Sequence, residues 1–74
     1  MRLSELPIGQ SARIKKIVTT DDAIKNRLHS LGVVKGEDVK MLKFTLAKGT
    51  YEVIAGDSRV ALRKEEAESV EVEV

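Results

Sequence analysis

Glycines at 9, 32, 36, 49 and 56 punctuate a 74-residue chain and leave room only for short elements between them. A chain of this length builds one domain around one core, and it buries a smaller share of its surface than a larger protein does. Little volume is left to hollow out as an enclosed substrate cavity, so any site is expected on the surface.

Leu3-Ser4-Glu5-Leu6-Pro7-Ile8-Gly9 reads as a turn, with Pro7 fixing one dihedral angle and Leu3 and Leu6 plugging the core. From Gln10 to Thr19, Ala12 and Ile14 alternate with Arg13 and Lys15. The phase then slips at Lys16-Ile17-Val18, as in a strand with a β-bulge. Thr20-Asp21-Asp22 supplies side-chain oxygens and negative charge for a helix start. Ile24, Leu28 and Leu31 recur at i, i+4 and i+7, one apolar stripe that Gly32 closes as a left-handed cap. Val33 to Gly36 is a tight turn. Strands are expected over Glu37–Thr45, Thr50–Ala55 and Ser58–Arg63, with a loop at Leu46–Gly49 and a hairpin turn at Gly56-Asp57. Lys64 to Ala67 can form one helical turn before Val70, Val72 and Val74 alternate with Glu71 and Glu73. The expected class is mostly β: five short strands in a closed or nearly closed barrel, with one helix between the first two strands capping an open end.

Charge and composition exclude several classes of chemistry. With no Cys there are no disulfides, thiolate metal sites or cysteine nucleophiles. No apolar stretch approaches the roughly 20 residues of a membrane-spanning helix, so a cytoplasmic, water-soluble protein without membrane insertion is expected. Thirteen Lys and Arg oppose 12 Asp and Glu, and a net charge of +1 gives no global case for nucleic acid. The distribution is less even. Residues 1–64 hold all 13 bases and 7 acids, whereas residues 65–74 hold five Glu and no base.

Three stretches, LSELPIGQSARI, RLHSLGVVKGEDVKML and VALRKEEAESVEV, together resemble the ferrous iron transport protein A (FeoA) family across nearly the whole chain. The family's pattern of Arg-Leu, Leu-Gly and a further Gly falls on Arg27, Leu28, Leu31, Gly32 and Gly36. Four of these are fold-determining on physical grounds. Leu28 and Leu31 face the core, Gly32 ends the helix, and Gly36 permits the turn into the next strand. Arg27 lies beside the stripe, free to bond carbonyls or to be solvated, and Ala67 fits a turn pressed against the barrel wall. The resemblance implies a five-stranded barrel of the Src-homology-3 type over residues 1–74, also seen in iron- and manganese-dependent repressors. The chain departs from the family in the loop between the middle strands, which has Ala47-Lys48-Gly49-Thr50-Tyr51 where Gly-Asp-Pro is common.

No residue of that pattern is chemical. Ser, His and Asp form no evident set, and Gly32-x-x-x-Gly36 lacks the Lys and Ser/Thr of a phosphate cradle, so no enzyme and no cofactor is expected. His29 is expected to be a partly exposed surface residue and not a metal ligand, and Glu65, Glu66 and Glu68 to be hydrated charges. Phe44 and Tyr51 are the only aromatics. With Leu46 they flank the longest loop, and these three residues form the candidate docking patch. The family likeness implies a non-catalytic accessory protein that docks on the cytoplasmic, G-protein-bearing part of a ferrous iron membrane transporter and carries no iron itself. Two other readings stand beside it. Arg13, Lys15, Lys16, Lys40, Lys43 and Lys48 would suit a nucleic-acid- or ribosome-associated barrel. A freestanding relative of the repressor domain would bind a peptide or lend a metal ligand within a larger assembly. The oligomeric state is left open.

Overall fold

In the computed structural model, which describes residues Met1–Val74, the alternating segments form five antiparallel strands. They are β1 (Ser11–Ile17), β2 (Asp38–Thr45), β3 (Thr50–Ala55), β4 (Ser58–Arg63) and β5 (Val70–Glu73). A 3₁₀ turn at Leu3–Glu5 precedes them, helix α1 (Asp22–Ser30) joins β1 to β2, and a single helical turn, α2 (Lys64–Ala67), joins β4 to β5. The strand order is β4-β3-β2-β1-β5, so the sheet is open between β4 and β5 and the expected barrel is not closed by hydrogen bonds. Because α2 leads directly from β4 into β5, it spans the opening, and Leu62, Ala67, Val70 and Leu3 are all fully buried.

The core is one cluster of 14 buried apolar residues drawn from both helices, all five strands and the segments between them. Alternation puts Ala12 and Ile14, Val39 and Met41, Val53 and Ala55, and Val70 and Val72 inside. Leu3 and Leu6 plug one side as expected. The helix contributes less than its stripe suggests: Leu28 is fully buried, whereas Ile24 and Leu31 are only partly buried against the cluster.

The reason lies at the helix end. The Val33 N–H donates to Leu28 O (2.9 Å) and the Gly32 N–H to His29 O (3.1 Å), a Schellman motif in which the chain reverses over the last turn. Gly32 has φ 82°, and a Cβ there would meet nothing within 4 Å, so glycine is needed for its conformation and not for space. The reversal brings Val33 back over Leu28, and both are at 0% exposure. Val33 thus belongs to the core and is no mere turn residue. At the other end, Asp21 is the N-cap, its Oδ1 accepting from the N–H of Ala23 (2.9 Å) and Ile24 (3.4 Å).

Glu66 overturns the expectation of a hydrated carboxylate. It is 3% exposed, one oxygen accepting from the Arg63 N–H at the start of α2 (2.8 Å) and the other in an ion pair with the Arg27 guanidinium. Arg27 therefore stays half-exposed to water while its guanidinium engages a carboxylate and not the carbonyls. It links α1 to α2 and supplies the charge that a buried carboxylate needs.

The acidic carboxyl terminus meets basic partners elsewhere too. Arg2 forms a β-bridge with Glu71, the Val72 N–H donates to Met1 O (2.8 Å), and the amino-terminal ammonium lies 3.3 Å from Glu71, so the first residues cover the free edge of β5. The hydrogen bond from that ammonium holds the Glu71 carboxyl below its ordinary pKa of 4.5. On the outer face of the sheet Glu52 bridges Arg59 (2.8 Å) and Lys43 (3.3 Å), and the Arg59 hydrogen bond lowers its pKa likewise.

Replacing Arg27 by Ala is expected to cost about 1–3 kcal/mol in urea denaturation. This is less than the roughly 3–5 kcal/mol of a fully buried pair, because water reaches the half-exposed guanidinium. Adding Glu66→Gln should recover part of the loss, since a neutral amide keeps the bond from Arg63; an Arg27→Ala midpoint equal to wild type would remove the link. Because Glu52 and Glu71 are held below 4.5 when folded, their contribution is present above that pH and is lost as pH falls through the lowered values. The pair Glu52→Gln/Glu71→Gln should therefore flatten the decline in stability below pH 4.5, and an unchanged acid limb would contradict this assignment.

Candidate docking surface

The β2–β3 hairpin owes its surface to a β-bulge that the sequence pattern hid. Met41 pairs with Val53, but the next pair is Lys43 with Glu52, so Leu42 is an extra residue. Strict alternation from buried Met41 would turn Lys43 inward and Phe44 outward. The bulge resets the phase: Lys43 pairs with Glu52 on the outer face and Phe44 returns to the side of Tyr51. β1 also carries its bulge slightly earlier than expected, its register with β5 shifting between Ile14 and Lys16.

Phe44 and Tyr51 are direct cross-strand partners, with ring centroids 4.6 Å apart and planes tilted by 44°. Tyr51 in turn pairs with fully buried Leu62. The row runs from core to solvent, Tyr51 half-buried and Phe44 39% exposed. Past Thr45 the chain turns over four residues, Leu46 to Gly49, closed by the Gly49 N–H to Leu46 O (3.2 Å), and Leu46 stands 83% exposed in that turn. The structure thus joins Phe44 to Tyr51 by direct ring contact and sets Leu46 on the adjoining turn.

Two surface clefts lie elsewhere. One, of about 490 Å³, is lined by Arg2, Ser4, Glu5, Val18, Thr19, Glu68 and Ser69, a mixed-charge wall with a single apolar residue. The other, of about 450 Å³, lies beside α1, with Ile17, Val33 and Val34 as apolar lining and Lys25, Asn26, His29 and Lys35 around them. His29 is exposed there and shares the cleft with two ammonium groups and no carboxylate, a poor setting for a cation. The lone His and the hydroxyls of Ser4, Thr19 and Ser69 occupy different clefts. Nowhere do three His, Cys, Asp or Glu side chains gather as a metal site. The second cleft escaped sequence reasoning. Lys25 and His29 share a helix face at i, i+4, but Lys35 joins them only through the chain reversal at Gly32. Of the six bases considered for nucleic acid, Arg13 pairs with Asp38 (3.6 Å) and Lys43 with Glu52, while Lys15, Lys16, Lys40 and Lys48 are in no ion pair.

Residues 1–74 match the family model described as the FeoA domain. The chain belongs to the FeoA family. It is 38% identical over 72 residues to a Campylobacter jejuni protein named as an Fe(2+) transport protein A, covering 97% of this chain and 96% of that one. Among solved structures it is similar to Stenotrophomonas maltophilia FeoA complexed with zinc, described as a procaryotic SH3 domain protein. That likeness has 42% identity and a TM-score of 0.82, and covers 99% of this chain and 89% of the other. T. acidophilum IdeR is similar over 100% of this chain but only 33% of its own, at 27% identity and a TM-score of 0.88. The Src-homology-3-like fold expected from the sequence is thus the family fold, and the likeness to repressor domains is present as well. FeoA membership ties the chain to ferrous iron transport, in a family of accessory transport proteins and not of known enzymes. No helix is long and apolar enough to cross a membrane.

The FeoA pattern now has a structural meaning. Leu28 and Gly32 build the helix end, Gly36 takes φ 92° in the turn before β2, and Arg27 reaches the buried Glu66 of the carboxyl-terminal stretch. Deleting Leu42 should abolish the short ring-to-ring NOEs between Phe44 and Tyr51 while keeping those between Met41 and Val53. Ring contacts that survive the deletion would show that the bulge does not set the patch.

Proposed function

We propose that this FeoA-family chain is a non-catalytic accessory protein of ferrous iron uptake that docks on the cytoplasmic, G-protein-bearing part of the membrane transporter. The reading assigns contact to Phe44, Leu46 and Tyr51. What supports it most directly is the exposure of Leu46 at 83% on a tight turn beside a packed, half-exposed ring pair. An apolar side chain that contributes almost nothing to the core is a group suited to burial against a partner. The bulge at Leu42 points the same way, because it returns an aromatic side chain to the rim where simple alternation would have placed Lys43. The Stenotrophomonas relative is described as a candidate activating factor of bacterial ferrous iron transport, which fits an accessory role.

Aromatic and aliphatic rim residues give affinity when a partner desolvates them, while the ion pairs of Glu52 on the opposite face keep the hairpin rigid before contact. Iron is cargo in this reading, and the chain acts on the transporter's conformation without touching the ion.

The test is an NMR titration of the whole chain with the transporter's cytoplasmic domain. Binding tighter than about 100 μM is expected, with resonances of Phe44, Leu46 and Tyr51 shifting. Leu46→Glu should leave the urea midpoint within about 0.5 kcal/mol of wild type and weaken binding at least about tenfold. No binding at about 100 μM, or a Leu46→Glu variant that binds as well as wild type, would remove this reading.

A further inference from the structure

We infer that the cleft beside α1 binds an acidic, extended peptide segment that carries an aliphatic side chain between its carboxylates. The cleft has two parts with different chemistry. Its lining includes Ile17 and Val34, each half-buried, and Val33, whose backbone the Schellman reversal carries over Leu28. Lys25, His29 and Lys35 are exposed around it, and Asn26 adds an amide able to donate and to accept.

The charge of this cleft is uncompensated. Arg2, Arg13, Arg27, Lys43 and Arg59 each have a carboxylate partner within 4.0 Å, whereas Lys25, His29 and Lys35 have none. Other lysines are also free, but Lys25 and Lys35 are the ones that line a concavity with apolar side chains. The only other cleft carries Glu5 and Glu68 beside a single Arg2, so it offers no excess of positive charge. Two ammonium groups along the rim suit carboxylates from the same chain, and the long methylene stems of the lysines extend the apolar lining.

The apolar lining selects among anions. Inorganic phosphate or sulfate would use the ammonium groups and leave Ile17 and Val34 in water. Nucleic acid would gain from stacked rings, but Phe44 and Tyr51 lie on the β2–β3 hairpin and no aromatic lines this cleft. A volume of about 450 Å³ admits a few side chains and no folded domain, which points to an extended segment. The site is built from α1, the end of β1 and the turn before β2, so it stands independently of the docking patch on the hairpin.

The probe is an acetylated, amidated peptide with a central Leu flanked on each side by two Glu, titrated into the full 15N-labelled chain at low salt. Shifts are expected at Ile17, Asn26, His29, Val33 and Val34, with affinity falling steeply as salt is added. Lys25→Glu/Lys35→Glu should weaken binding at least about tenfold. Both residues are exposed, and an unchanged urea midpoint will show that the variant folds. Replacing the central Leu by Ser should weaken binding severalfold, and a peptide with Lys for Glu should not bind. The proposal falls if the acidic peptide leaves these resonances unmoved at millimolar concentration, or if charge reversal leaves its affinity intact. It falls equally if inorganic phosphate, or a single-stranded oligonucleotide, produces the same shifts at lower concentration.

Discussion

A carboxylate with almost no access to water sits where this small sheet would otherwise gape. Burying Glu66 without partners would cost several kcal/mol, so the group can stay there only if both oxygens are occupied. One accepts the Arg63 N–H that begins α2, and the other holds the Arg27 guanidinium from α1. The side chain thereby fixes the corner at which β4 passes into α2 and fastens to it the helix that lies between β1 and β2. Without that corner, Leu62, Ala67 and Val70 would have no common interior to fill, because no ladder joins β4 to β5. Removing one partner leaves a stranded charge, whereas replacing the pair with well-fitted apolar groups would cost much less, so the pair secures the arrangement more than the energy.

The sheet itself depends on two irregularities. The bulge in β1 lets Ile14 and Ile17, three residues apart, both align with the inward-facing Val72 and Val70 of β5. The bulge in β2 divides the hairpin into a core half, where Met41 and Val53 face inward, and a distal half, where Phe44 and Tyr51 pass from the core toward solvent. A protein this short has no spare interior for a site. Its means of making one is to re-aim side chains at the ends of its strands and to fold a turn back over a helix.

How legible this was in the sequence varied with the range of the interaction. β3, β4 and α2 were legible to the residue because alternation, a Gly-Asp turn and a change to helical residues are local signals. The ends of β1 and β2 fell within a residue or two of expectation, and Gly32 marked the end of α1 because a left-handed cap is a local demand. The core status of Val33 was lost in the turn that contains it. The bulge at Leu42 was also hidden, since Val, Met, Leu and Phe in a row suit either phase. Arg27 and Glu66 were visible only as parts of two separate stretches of family resemblance. Their sequence separation leaves no periodic trace, and burial of a Glu runs against its usual preference. The proximity of Phe44 and Tyr51 was foreseen from the loop between them, while the α1 cleft depends on a reversal that brings Lys35 to Lys25 and His29.

The distribution of charge carries the last step. A sequence with nearly balanced Lys, Arg, Asp and Glu could have been an evenly neutralised surface, and part of this molecule is: Glu66 meets Arg27, Glu71 meets Arg2 and the amino terminus, and Glu52 meets Lys43 and Arg59. Neutralised regions hold the fold together and offer little to steer a partner. The two candidate surfaces differ from each other. The hairpin rim exposes apolar groups, for which affinity rises with the water excluded, and the cleft beside α1 exposes cations, for which association depends on salt. An accessory protein acts through what it touches, and these surfaces are where contact would bring new free energy.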